Sequence, residues 1–186
     1  MQITQFLNAI FWEYIQNLPV ILLFVTAVWF WAEERRKEAL ICITVSALSG
    51  ALIIRFTEPL ISGYEEPLST TLVNIVSFGL LQIIFAAYLA SETKWSNWKI
   101  DMALGGLAGV SLAVAQGIAS QGSPLIGIIL HSIALGTIGA LVVIAIRKLK
   151  QQSLTEALKN ALLITTFMTL IISVIDYGYL LVLEGF

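Results

Sequence analysis

The residues of this chain that are equipped for chemistry are few, and most stand inside apolar runs where a charge is expensive. Asp176 and His131 lead them, followed by Arg55, Glu13, Asn74 and Gln116. An ionisable group in hydrocarbon costs from about 2.5 kcal/mol upward, so it is normally turned inward, paired and functional. Asp176 continues a polar stripe of Thr166, Thr169 and Ser173, which directs one face of its helix into a bundle. His131 lies seven residues after Pro124 and Asp176 seven before residue 183, so both sit roughly 10 Å below the ends of their helices at 1.5 Å per residue. Asn74 comes to nearly the same depth, with Arg55, Glu13 and Gln116 a little higher.

Six side chains from six segments thus predict a polar ring around a cavity that apolar residues close from below. Asp176 and His131 would bind solute or relay protons, Asn74 and Gln116 would supply hydrogen bonds, and Arg55 would balance charge. Blander readings stand beside this one. Arg55, Glu13 and Glu58 can snorkel to an interface, Arg55 can pair with Glu58 or with Asp176, and Asp176 with His131 can form a structural hydrogen bond. Gln82 shares a helical face with Asn74 and Phe78, and either extends the polar path or joins two helices. The stretch TEPLISGYEEP, with Glu58, Glu65 and Glu66, reads as a solvated acidic turn or as a lid that concentrates cations.

Other chemistries lack their parts. There is no HExxH, no GxSxG and no P-loop. Glu33 and Glu34 resemble the start of a glutamate-pair motif of membrane metalloproteases, but its supporting histidines are absent: the only one, His131, is expected at the opposite side. A paired-aspartate signature for lipid-phosphate transfer is missing. A Cys42, Arg55 and His131 trio would suit a membrane transpeptidase, yet Cys42 and Arg55 lie roughly 20 Å apart along one helix. One cysteine excludes an intrachain disulfide and a multi-cysteine metal site, and one histidine excludes a bis-histidine haem. No cofactor and no metal are expected.

The elements that must position these residues follow from composition. Hydrophobic residues make up 58% of the 186 and charged ones 12%, with a mean hydropathy of +0.90; a soluble domain carries about 25% charge. A span needs roughly 20 apolar residues, and continuous runs of that length satisfy their backbone only as helices, whereas barrel strands alternate over about ten residues. The expected fold is an all-α integral membrane protein, one domain over 1–186, a bundle of six transmembrane helices with short loops at about 10–32, 39–56, 68–90, 102–119, 124–146 and 154–183. Ser123-Pro124 and Glu66-Pro67 offer helix starts, and Ser153 with Glu156 a capping box. The reversal within EERRKE has neither glycine nor proline, and is inferred from the cost of burying its charges.

Nine of the ten Lys and Arg residues fall in three gaps between the runs: Arg35, Arg36 and Lys37; Lys94 and Lys99; Arg147, Lys148, Lys150 and Lys159. Only Arg55 lies elsewhere. By the positive-inside rule those gaps are cytoplasmic, and both termini and the 57–67 and 120–123 loops are not. Trp29, Trp31, Trp95 and Trp98 gather at the inner boundary, and Trp12, Tyr177 and Tyr179 near the outer one. No basic stretch precedes Arg35, so a cleaved secretory signal is not expected. The openings KEALICI, IDMALGG and TEALKNALLI hint at three stacked hairpins, although helix-start composition explains them as well.

Small residues recur every four positions as Gly105, Gly109, Ala113 and Gly117, again as Cys42, Ser46 and Gly50, and as Ser132, Gly136 and Ala140. Such stripes let membrane helices approach closely. The first reading is packing within the bundle; the alternative is a homo-oligomer seam or a docking face for a partner membrane subunit. Expected partners are the lipid bilayer and a small polar or cationic solute, and no nucleic acid. The function that these features favour is a small transporter or the substrate-binding membrane subunit of one, with a non-catalytic accessory subunit of a larger complex as its rival and an intramembrane enzyme third.

Overall fold

The chain makes its first reversal without glycine or proline, and Glu34 takes the conformation that glycine usually supplies. α1 spans Ile3–Ala32 and α2 spans Arg36–Ile61. Between them Glu34 has φ 61°, the left-handed setting that commonly closes helices. The Arg35 N–H donates to the Phe30 carbonyl at 2.9 Å and the Glu34 N–H to the Trp31 carbonyl at 3.2 Å, which satisfies carbonyls that a helix end otherwise orphans. Arg36 Nη1 adds a 2.6 Å bond to the Trp31 carbonyl. The Arg35 and Arg36 guanidinium groups then lie 4.5 and 4.7 Å from the centres of the Phe30 and Trp31 rings.

The computed structural model describes residues 3–61, 65, 67–91, 97–119, 125–149 and 151–176, apart from a few side chains, those of Gln116 and Asp176 among them. Four more helices follow: α3 Leu68–Ala90, α4 Trp98–Ala119, α5 Leu125–Leu149 and α6 Leu154–Asp176. No strand occurs among the described residues. α3 has the expected limits, although Pro67 rather than Glu66 occupies its N-cap position and no side chain caps it. α4 starts four residues earlier than expected because Asn97 Oδ1 accepts the Lys99 N–H at 3.0 Å. α2 runs on through Pro59 to Ile61, so Glu58 belongs to a helix and not to a loop. Ser153 caps α6, its hydroxyl accepting the Glu156 N–H at 3.4 Å. Ser123 and Pro124 lie outside the described residues, as do Trp95, Tyr177 and Tyr179.

Among the described residues, α1, α3 and α5 touch one another, while α2 fits between α1 and α3, α4 between α3 and α5, and α6 between α5 and α1. α2, α4 and α6 make no contact among themselves. Each of these three outer helices buries a stripe of mostly small residues at four-residue spacing: Ala39, Ile43 and Ala47; Asp101, Gly105, Gly109 and Ala113; Ala157, Ala161, Thr165, Thr169 and Ser173. Thr165, fully buried, takes the place expected for Thr166, which faces outward.

The tightest seam is α4 against α5. A Cβ on Gly105 would stand 2.2 Å from the Gly139 carbonyl oxygen, one on Gly109 would stand 1.9 Å from that of Leu135, and one on Gly139 would stand 2.1 Å from that of Gly105. The stripe of Gly105, Gly109, Ala113 and Gly117 is therefore occupied by α5 of the same chain. Likewise Ser46 and Gly50 face α1, where Ser46 Oγ donates to the Val20 carbonyl at 3.2 Å.

Large aliphatic and aromatic side chains face outward along the whole bundle, with Phe56 71%, Phe167 67% and Leu107 64% exposed, while alanines such as Ala27, Ala51, Ala86 and Ala134 are fully buried. Small inside and large outside is the packing of helices in lipid. All six helices are long and apolar enough to cross a membrane, which suggests a multi-pass membrane protein.

Candidate functional site

Two polar clusters interrupt the apolar interior, one at each end of the bundle. The turn at Glu33–Arg35, the C-terminal ends of α3 and α5 and the N-terminal ends of α4 and α6 share the end where Arg35, Arg36, Lys37, Lys99, Arg147 and Lys148 gather. At this basic end Asp101, in the first turn of α4, is 1% exposed. Arg147, in the last turn of α5, grips it with two nitrogens: Nε on Oδ2, and Nη2 on Oδ1 at 2.9 Å. Tyr88 of α3 donates its hydroxyl to the same Oδ1 at 2.7 Å, and its ring centre lies 4.9 Å from the guanidinium carbon. Three helices thus meet at one carboxylate.

The composition of that cluster explains its survival in an apolar interior. Desolvating two charges costs several kcal/mol per ion, and only paired geometry with further hydrogen bonds repays it. A planar guanidinium fork supplies the pairing, and Tyr88 meets the lone pair that the fork leaves over. Read along the chain, Arg147 belongs to a basic gap, and charge spacing does not reveal its contact with Asp101. A signal was present: the four-residue stripe of α4 extends backward from Gly105 to Asp101, which places the carboxylate on the packed face.

The second cluster lies in the half that contains the candidate residues. Asn74 of α3 is 1% exposed, and Thr70 and Thr71 beside it are buried. Arg55, half-buried on α2, donates from Nη1 to Thr71 Oγ1 at 3.2 Å. Gln16 of α1 donates from Nε2 to Thr57 Oγ1 of α2, with both side chains buried. Glu13 is half-buried one turn before Asn17, whose Nδ2 reaches the Glu13 carbonyl at 2.8 Å and its carboxylate at 3.3 Å. His131 is half-buried on α5. The Gln116 and Asp176 side chains lie outside the described residues; of the other expected members, Asn74 is buried, Glu13, Arg55 and His131 are half-buried, and the contact described between helices is that of Arg55 with Thr71.

Along α3 and α6 the polar character continues inward. Gln82 is 6% exposed on the face that carries Asn74, as its spacing predicts, and Thr169 and Ser173 are buried on α6. Four buried polar atoms among the described residues have no hydrogen-bond partner: Thr70 Oγ1, Gln82 Oε1, Thr169 Oγ1 and Ser173 Oγ. They lie on α3 and α6, two helices that each pack against α1. Toward the basic end the interior turns apolar, with Phe24, Val28, Leu89, Ile146, Leu149 and Ala157 in one cluster. No group of three His, Cys, Asp or Glu side chains comes together among the described residues.

What this fold and these clusters define is a bundle of six helices of membrane-spanning dimensions with a buried polar cluster toward each end. No protein-family model, no curated protein and no solved structure matches the chain.

Proposed function

We propose that the chain is a small multi-pass membrane transporter, or the substrate-binding membrane subunit of one, whose site is formed by the buried polar residues in the half away from the basic turns. The observation that carries this reading is the set of buried, unpartnered polar atoms on Thr70, Thr169 and Ser173, with that of Gln82 deeper along α3. Each such atom costs about 1–3 kcal/mol, and a bundle shaped for stability alone would hold aliphatic groups there. A polar solute bound in this half would supply the missing hydrogen bonds. Asn74 and Gln116 then orient it, Asp176 and His131 bind it or relay a proton, and Arg55 and Glu13 balance its charge. The positive-inside rule supports a cytoplasmic position for the basic turns, which would open the site outward and put both termini on that side.

The test is a melting-temperature screen of the purified chain against small polar and cationic solutes, followed by uptake of the hits into proteoliposomes. A ligand present at 100 times its Kd stabilises the folded state by about 2.7 kcal/mol, a readily measured shift. Asn74→Leu, His131→Ala and Asp176→Asn are expected to abolish both the shift and uptake. Binding and uptake that survive all three substitutions exclude this site.

A further inference from the structure

Between α5 and α6, on the outer surface at the basic end, runs a crevice of about 320 Å³ that the polar site does not use. Leu141, Ile144 and Lys148 line it from α5, and Ile164, Phe167 and Ile171 from α6, with Ala145 and Met168 completing the wall. Its sides are aliphatic and aromatic except at one end, where Lys148 stands exposed. The neighbouring cation, Arg147, is engaged by Asp101, whereas Lys148 has no hydrogen-bond or ion-pair partner from its side chain among the described residues.

We infer that this crevice is a binding site for one acyl chain of an anionic phospholipid, with the lipid phosphate on Lys148. The lining residues of α5 run from 141 to 148, roughly 10 Å at 1.5 Å per residue, an apolar length along which an acyl chain can lie. Charge decides between lipids. Basic pockets between membrane helices on the cytoplasmic side suit anionic headgroups, and an ammonium at the mouth of an apolar slot matches a phosphate whose tail lies along the slot.

The inference rests on the membrane embedding proposed above and not on the polar site, and the readouts separate the two. The purified chain, held in mild detergent with equal amounts of phosphatidylglycerol and phosphatidylcholine, is measured by native mass spectrometry for retained lipid. Retention of either lipid reports embedding, and the ratio reports the crevice. Phosphatidylglycerol is expected to exceed phosphatidylcholine by about fivefold, the factor that one lysine near a membrane surface provides. Lys148→Gln should bring the ratio close to one, and Ala145→Phe should lower retention of both lipids. Ala145→Leu reports the same point if the phenylalanine variant fails to fold. Lys37→Gln, at the same end but on α2, should change nothing. A ratio unchanged by Lys148→Gln, or lowered equally by Lys37→Gln, overturns the inference.

Discussion

Arg147 and Asp101 form a two-point ion pair across the α4–α5 seam, 46 residues apart in sequence and nearly closed to solvent, with side chains 14% and 2% exposed. Breaking such a pair from one side leaves an uncompensated charge, so the two single substitutions should differ. Arg147→Met strands the more deeply buried carboxylate and should cost about 3–5 kcal/mol. Asp101→Asn leaves a guanidinium that can still reach water, and should cost less. The double variant should recover much of the loss, because replacing both partners of a buried pair is often neutral. Thermal unfolding in detergent across the four proteins checks this order.

Tyr88 is the described side-chain hydrogen bond from α3 to this pair. Tyr88→Phe keeps the ring under Arg147 and removes only the 2.7 Å bond to Asp101. A loss of about 1.5–3 kcal/mol is expected, the range for hydrogen bonds to charged groups. A loss near zero would show that α3 is held to α4 and α5 by packing alone.

The glycine seam predicts sharp positional contrast. Gly105→Ala and Gly109→Ala drive a methyl into backbone that no side-chain rotation can relieve, and each should cost about 3 kcal/mol or more. Gly79→Ala meets nothing closer than the Ala47 Cβ at 3.7 Å, and should gain about 0.5–1 kcal/mol from helix propensity. Melting temperatures of the three variants give the comparison.

The first turn carries strain that can be removed. Glu34 sits at φ 61°, where a side chain costs roughly 1–2 kcal/mol that glycine does not incur. Glu34→Gly is expected to stabilise the protein by about 1 kcal/mol, and Glu34→Val to destabilise it. Equal melting temperatures for the two variants would refute the strain.

Stability and function should move in opposite directions on α6. Thr169→Val removes a buried hydroxyl that has no partner and keeps its shape, so stability should rise by about 1–3 kcal/mol. Solute binding should fall in the same variant if that hydroxyl belongs to the site. A gain in stability with unchanged binding would place Thr169 outside it.

Much of this architecture was legible because lipid-sized helices announce themselves through length. α3 begins and ends where its apolar run does, and Ser153 with Glu156 marks the start of α6. The small-residue stripe of α4 was readable as a packing face, and the inward placement of Asn74 and Gln82 followed from their spacing. Limits were harder where a local cap overrode hydropathy, as with Asn97, and at Glu34, whose left-handed backbone no residue preference signals. Thr165 and Thr166 show how little separates one face from the next: adjacent hydroxyls point 100° apart, and only the position of the neighbouring helices selects which is buried.

Sequence alone determined six apolar helices, three clustered basic turns and the stripes that let helices meet. Tertiary structure decided which charges are solvated and which are not. Asp101 and Arg147 look like loop charges when read along the chain, because a carboxylate and a guanidinium 46 residues apart have no local reason to meet. The close approach of α4 and α5, made by glycines with no side chain to hold the backbones apart, brings them together in the paired geometry that offsets the cost of burying both charges.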